Sequence, residues 1–130
     1  MKVLLVDDNP LFLDLSKTFL EVFHDIPSDT ADSAREAIRM LEKDSYDVIV
    51  SDYDMPAMNG IMFLRTIRDK RINIPFILFT GVEEELMHQA IQNGANSFIL
   101  KTSDPKTQYS ELSKRIWQIE NSSTTIDPRS

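Results

Sequence analysis

Three aspartates stand at the ends of two short apolar runs, and their positions suggest a shared acidic site. Val48-Ile49-Val50-Ser51 leads directly into Asp52, and Val3-Leu4-Leu5-Val6 leads into Asp7 and Asp8. Runs of this length and composition are typical of strands that are buried on both faces. If the two strands are neighbours in a parallel sheet, their carboxyl ends share one crevice, which is where such sheets bind ligands. We therefore expect the three carboxylates to converge.

Carboxylates that share a site repel one another unless a cation lies among them. The expected ligands are all oxygens, with no His or Cys close by in the sequence. That ligand set suits Mg²⁺, a hard octahedral ion that takes few carboxylates and keeps several waters. The sequence thus predicts a Mg²⁺ site, and Mg²⁺ in turn suggests phosphate chemistry.

Two later apolar runs bring further polar groups to strand ends. Phe76-Ile77-Leu78-Phe79 ends at Thr80-Gly81, and Ser97-Phe98-Ile99-Leu100 ends at Lys101. If these strands join the same parallel sheet, a hydroxyl and an ammonium lie beside the carboxylates. A nucleophile, a metal, a hydrogen-bond donor and a cation together form a complete set for a phosphoryl group.

The order Asp7-Asp8, Asp52, Thr80, Lys101 resembles the receiver domains of two-component response regulators, which have the chemotaxis-regulator-like fold. The resemblance covers roughly residues 1–120 and rests on five positions at the ends of four strands. It implies an α/β fold with a five-stranded parallel sheet, doubly wound as a flavodoxin-like (βα)5 unit with strand order 2-1-3-4-5. Residues 121–130 are expected to form a disordered tail or the start of a linker.

The resemblance also implies a role for each site position. Asp52 would be the phosphoacceptor, Asp8 would bind Mg²⁺ directly, and Asp7 would bind it through water. The remaining expected contributions are the backbone carbonyl of Asp54 to the metal, the switch hydroxyl of Thr80, the backbone N–H of Gly81, the phosphate-pairing ammonium of Lys101 and the rotameric switch ring of Phe98.

By the same resemblance, the chain is a phosphorylation-activated switch that catalyses only its own phosphoryl transfer and dephosphorylation. Its donor would be a phosphohistidine on a sensor histidine kinase or a phosphotransfer protein. Its output would be a partner protein or an attached domain, controlled through the face formed by the fourth helix, the fifth strand and the fifth helix. Met87, Tyr109 and Trp117 are the residues expected on that face.

One position beside the site departs from the family pattern, and a second is expected to affect the lifetime of the acyl phosphate. Thr102 stands where the family usually has proline. The Lys101–Thr102 bond is expected to be trans, because a cis bond before a residue other than proline costs about 3 to 4 kcal/mol. Val82 is expected to shield the acyl phosphate from water.

Helical patterns alternate with the strands, which is typical of a parallel sheet with helices on both faces. The first helix should begin near Pro10 and carry Leu11, Leu15, Phe19 and Phe23 on one face. The second should begin at the capping box Ser33-Ala34-Arg35-Glu36. The later helices are expected over about residues 60–69, 83–93 and from 104 onward, with Glu83-Glu84-Glu85 on the first turn of the fourth helix, Gly94 just beyond its end, and Leu112, Ile116 and Ile119 on the buried stripe of the fifth.

The second strand is the weakest prediction. Asp25-Ile26-Pro27-Ser28 contains a proline, which only an edge strand tolerates because proline has no N–H to donate. An edge position agrees with the strand order that the resemblance implies.

Composition narrows the class of protein further. The 130 residues carry a net charge of −7, which argues against direct binding of nucleic acid, since no basic face is available. The chain has no Cys, and Met1-Lys2 leads into only four apolar residues, too few for a signal peptide or a membrane span. We expect a cytoplasmic location without membrane insertion.

Three other functions fit part of the pattern. A calcium loop of the EF-hand type is excluded, because Pro56 and Ala57 stand where it needs an oxygen ligand and a glycine. A haloacid-dehalogenase phosphatase also uses an Asp-x-Asp motif, but on its first strand, whereas Asp52-Tyr53-Asp54 follows the third. A phosphorylation-independent scaffold would not need every site position filled. The polar tail fits both a free-standing protein and the receiver of a longer chain.

Overall fold

The computed structural model describes residues 1–81, 84–101 and 104–124, with the backbone alone at 84 and 122–124. Within these residues, strands and helices alternate along the chain. The strands are β1 (Val3–Val6), β2 (Ser28–Ala31), β3 (Val48–Ser51), β4 (Phe76–Thr80) and β5 (Ser97–Leu100). The helices are α1 (Pro10–Thr18), which continues as a π-helical turn over Phe19–Phe23, α2 (Ala34–Lys43), α3 (Gly60–Asp69), α4 (Glu84–Gln92) and α5 (Pro105–Thr124).

Several predictions concern positions outside the described residues. These are the shielding role of Val82, the place of Glu83 on the first turn of α4, the trans Lys101–Thr102 bond and residues 125–130 of the tail.

All five strands are parallel, in the order β2-β1-β3-β4-β5. This confirms the predicted doubly wound α/β fold. Val6 pairs with Ser51, and Thr80 pairs with Leu100, so the residues that follow these pairs emerge side by side at one edge. The register therefore brings the ends of β1, β3, β4 and β5 to the same crevice.

The helices cover both faces of the sheet because successive strand side chains point to opposite sides. On one side, α1 and α5 pack through Leu13, Leu20, Leu112 and Ile116. On the other side, α2, α3 and α4 pack on a second core, and Phe63, Leu64 and Ile67 of α3 are fully buried there. None of the described helices is both long and apolar enough to cross a membrane.

Side-chain caps define where three helices begin. Asn9 Oδ1 accepts hydrogen bonds from the N–H groups of the first turn of α1, and Asn59 does the same for α3. Ser33 Oγ accepts from the N–H of Glu36 at 3.1 Å, so α2 begins at the predicted cap. These caps satisfy N–H groups that have no partner within the helix.

The apolar face that four-residue spacing predicts for α1 lies mostly on the exposed side of the helix. Leu11, Leu15 and Phe23 are exposed, at 79%, 41% and 65% of their surface. The buried positions are instead Leu13 and Leu20. Spacing alone did not distinguish the two sides, because large apolar residues lie on both.

Three further predictions need correction. The second strand begins at Ser28, because Pro27 cannot donate to the ladder and only its carbonyl pairs, accepting from the N–H of Val3 at 3.0 Å. Residues 121–124, expected in the tail, continue α5. Tyr109, expected on an exposed face, is fully buried, and its hydroxyl lies 2.7 Å from Ser16 Oγ.

Candidate functional site

Main-chain hydrogen bonds fix the loops that carry the acidic residues. The N–H of Asp52 donates to the carbonyl of Val6 at 2.9 Å, and the N–H of Asp7 donates to Ala31 at 3.2 Å. Each strand pairing thus extends one residue into the crevice. Main-chain hydrogen bonds alone therefore fix the backbone positions of Asp7 and Asp52, independently of their side-chain contacts.

The three predicted carboxylates converge. Asp7, Asp8 and Asp52 each offer an oxygen within 4.8 Å of the others. Asp7 and Asp52 are 4% and 9% exposed, whereas Asp8 faces solvent. The cluster is therefore open on one side and closed by protein on the other, as a site that binds an ion from solution requires.

Lys101 provides the positive charge of the cluster. Its ammonium Nζ lies 3.0 Å from Asp7 Oδ2 and 3.4 Å from Asp52 Oδ1. The N–H of Lys101 donates to the carbonyl of Thr80 at 2.8 Å, which fixes where the side chain begins. Lys101 pairs with two of the three carboxylates in the cluster, so a net negative charge remains for a further cation to neutralise.

Burial governs the acidity of Asp52. Removal from water raises the pKa of its carboxyl above the ordinary value, and the charge on Asp7 raises it further. Lys101, the N–H of Tyr53 and the hydroxyl of Thr80 oppose this by stabilising the ionised form. The net effect is a carboxyl whose pKa lies above its ordinary value.

These residues line an open pocket of about 410 Å³. The pocket is also lined by Asn9, Phe12, Asp54, Met55 and Pro56. The pocket is large enough to admit a phosphoryl group together with hydrated metal.

The other predicted residues lie around this pocket. Thr80 is 1% exposed, and its hydroxyl acts to lower the pKa of the Asp52 carboxyl. Gly81 is exposed, and a Cβ added there would meet no atom within 4 Å, so the space beside its backbone is free. Phe98 is partly buried against the α2–α4 core and lines a separate groove with Met87. Trp117, expected on the same face as Met87, is 41% exposed.

Sequence reasoning missed two residues that support the site. Gly60 packs on the backbone of Asp52 and Tyr53, and an added Cβ would lie 2.9 Å from Tyr53 Cα. The Met-Asn-Gly sequence at the start of α3 was the available signal. Phe12 places its ring centroid 4.0 Å from Lys101 Nζ. No local pattern predicts that contact, because the two residues are far apart in the chain.

The donor set fits Mg²⁺. It consists of carboxylate oxygens on a partly exposed rim, where the ion can retain water, and it lacks the nitrogen and sulfur ligands of softer metals. After pairing with Lys101 the cluster keeps a net negative charge, which a divalent cation can neutralise.

Comparisons with known proteins agree with this geometry. The family model of the response regulator receiver domain matches residues 3–113. A protein-glutamate methylesterase/protein-glutamine glutaminase of Treponema denticola is 35% identical over 107 residues, which are 79% of this chain and 29% of that protein. Chemotaxis protein CheY-3 of Vibrio cholerae is 32% identical over 117 residues, which are 88% of this chain and 90% of that protein.

A solved structure shows the same likeness in three dimensions. The response regulator domain of Thermotoga maritima CheB superposes with a TM-score of 0.84 at 28% identity, and the match covers 98% of each chain. Receiver domains are phosphoryl-accepting switches that act with histidine kinases and output domains, and aspartate phosphorylation and Mg²⁺ are typical of them. The chain belongs to the response regulator receiver domain family of two-component systems.

Proposed function

We propose that this chain is a phosphorylation-activated switch in which Asp52 accepts a phosphoryl group from a phosphohistidine. The donor is a sensor histidine kinase or a phosphotransfer protein. The observation that supports this most strongly is the position of Asp52, which is buried at the end of β3, 3.4 Å from an ammonium and beside two further carboxylates. An aspartate with only a structural role would not require an ammonium and two further carboxylates beside it.

In the transfer, a carboxylate oxygen of Asp52 attacks phosphorus and forms an acyl phosphate. The P–N bond of the donor breaks, and its electron pair returns to the imidazole nitrogen. The transition state is loose and spreads charge over the equatorial oxygens, so positioned positive groups lower the barrier. Lys101 donates a hydrogen bond to one equatorial oxygen, and the hydroxyl of Thr80 and the N–H of Gly81 donate to the other two.

Asp7, Asp8 and Asp52 would hold Mg²⁺, with the backbone carbonyl of Asp54 completing the protein's share of the ligands. When bound, the ion neutralises charge on the oxygens of the transferring group. Asp7 is already oriented for its part, because its Oδ1 accepts from the N–H of Asn9 at 2.9 Å.

A protein donor is favoured over a small phosphate ester by the surface beside the pocket. Leu11 is 79% exposed and lies in the sequence between Asn9 and Phe12, which both line the pocket. Leu15 follows one turn later and is 41% exposed. A donor that places its imidazole at Asp52 would cover these apolar side chains, which a small molecule would leave in water.

The output is read through the face of α4, β5 and α5. A groove of about 480 Å³ lies there, lined by Met87, Phe98 and Leu100, and Leu100 is 48% exposed. Phosphorylation adds negative charge and acceptor oxygens at Asp52, which favours an inward position of the Thr80 hydroxyl. Movement of Thr80 would free space for Phe98 and so alter the groove that a partner or attached output domain contacts.

A phosphorylation assay tests the proposal. The wild type is incubated with acetyl phosphate and Mg²⁺, or with purified histidine kinases, and phosphoprotein is measured by intact mass. We expect one phosphoryl group in the wild type and in Asp69→Asn, which removes an exposed carboxylate at the end of α3, and none in Asp52→Asn. Steady turnover of small phosphomonoesters by the wild type would indicate a phosphatase instead and would overturn the proposal.

A further inference from the structure

Lys101 is held by an aromatic ring as well as by carboxylates. Its Nζ lies 4.0 Å from the centroid of the Phe12 ring and 5.8 Å from that of Phe79. Both distances fall within the range at which an ammonium is attracted to the negative face of a ring. The nearer ring, Phe12, lines the pocket, so this contact lies within the site itself.

The Phe12 ring is a fixed support rather than a mobile surface group. It packs on Phe79 and on Tyr109, with centroid separations of 5.8 Å and 6.3 Å. Tyr109 is fully buried and is tied to α1 through its hydrogen bond to Ser16. The core on the α1 and α5 side of the sheet therefore fixes the position of the Phe12 ring that contacts Lys101.

The contacts around Phe12 form a closed cycle. Asp7 Oδ1 accepts from the N–H of Asn9, and Asn9 Oδ1 accepts from the N–H of Phe12 at 3.2 Å. The Phe12 ring contacts Lys101 Nζ, and Nζ returns to Asp7 Oδ2 at 3.0 Å. Each member thus limits the movement of the next, and the most flexible one, the lysine side chain, is constrained from two sides.

We propose that Phe12 is a positioning residue for Lys101, a role that rests on the proposed phosphoryl transfer at Asp52. A lysine has a long flexible stem and three donors that rotate freely. The ring attracts the ammonium and excludes water on one side, but it has no lone pair that would compete with a phosphoryl oxygen for an N–H. The N–H donors of Lys101 can therefore turn from Asp7 and Asp52 to the incoming phosphoryl group while Nζ stays against the Phe12 ring.

Fluorination of the ring separates positioning from packing. Fluorine atoms on Phe12 withdraw electron density from the ring face while the shape of the side chain is nearly unchanged. We therefore expect the maximal phosphorylation rate at saturating acetyl phosphate to fall stepwise from mono- to trifluorophenylalanine, by about three- to tenfold in all. The donor concentration for half-maximal rate should remain unchanged. The same series at Phe63, in the core on the other face of the sheet, should leave the rate constant.

A second measurement needs neither metal nor phosphate. Protons above a ring face resonate upfield, so the ε-methylene protons of Lys101 should be shifted upfield in the metal-free wild type and should return toward ordinary values in Phe12→Leu. A rate that is flat across the Phe12 series, or Lys101 protons at ordinary positions in the wild type, would overturn the inference. A wild type that takes no phosphoryl group would overturn the proposed function as well, so the two failures are distinguishable.

Discussion

Lys101 is paired most closely with Asp7, at 3.0 Å between Nζ and Oδ2, and not with Asp52, at 3.4 Å. The ammonium therefore spans two carboxylates in the unphosphorylated protein. It lowers their mutual repulsion without removing the negative charge of the cluster, because Asp8 adds a third carboxylate. A site in this state is prepared to bind a cation and then a phosphoryl group.

Mg²⁺ should stabilise the unphosphorylated protein. Ligands that bind only the folded state raise the free energy of unfolding by RT ln(1 + [L]/Kd), about 1 to 3 kcal/mol at saturating metal. Thermal melts with Mg²⁺ and with chelator measure the shift. Asp8→Ala should lose it, and Asp47→Ala, which changes an aspartate at the opposite end of β3, should keep it. An equal shift in Asp8→Ala would contradict the ligand assignment.

Asp52→Asn should stabilise the metal-free protein at neutral pH. Burial raises the folded-state pKa of Asp52 above its ordinary value of 3.8, so the protonated form favours folding and the ionised form opposes it. The wild type therefore loses stability as the pH rises through the folded-state pKa. The advantage of Asp52→Asn should be present at pH 7 and vanish below about pH 4. Urea unfolding in chelator at several pH values tests this, and a destabilised variant at pH 7 would contradict it.

Arg71→Gly should also stabilise the protein, at a position remote from the site. Arg71 follows α3 with φ of 67°, a left-handed conformation that costs a side chain about 1 to 2 kcal/mol. The N–H of Ile72 donates to Ile67 across this turn at 2.9 Å, as in a glycine-terminated helix. We expect a gain of about 1 kcal/mol in urea unfolding. Arg71→Ala, which retains Cβ, should give no comparable gain, and equal gains would show that backbone strain is not the cause.

The exposed leucines of α1 should matter for a protein donor alone. Leu11→Ser and Leu15→Ser each remove apolar surface that a donor would cover, and each should slow transfer from a phosphorylated kinase or phosphotransfer protein by about tenfold. Phosphorylation by acetyl phosphate provides the internal reference and should change little. Equal slowing with both donors would place the effect in the pocket and not in an interface.

The fold could be predicted because its signals are local. Four apolar runs end in polar residues, and the capping box at Ser33 marks the start of α2. The carboxylates could be placed because a parallel sheet brings its strand ends together. Within the residues described, Asp7, Asp8, Asp52 and Lys101 lie where the strand pattern put them.

The remaining features depend on contacts that no local pattern carries. Large apolar residues, Leu11 and Leu15, lie on the exposed side of α1 as well as on its buried side, so periodicity could not orient the helix. Tyr109 is buried because Phe12, Phe19 and Phe79 converge on it from two other elements. The contact of Phe12 with Lys101 joins the first helix to the residue that follows β5, and only the three-dimensional fold reveals it.

Chemical trapping of the acyl phosphate tests the central claim most directly. The wild type is phosphorylated with acetyl phosphate and Mg²⁺ and then treated with borohydride, which reduces an aspartyl phosphate to homoserine. Peptide mass spectrometry locates the change. We predict homoserine at position 52 and an unmodified aspartate at positions 7, 8 and 54. Homoserine at any of those three positions, or at none of the four, would contradict the account.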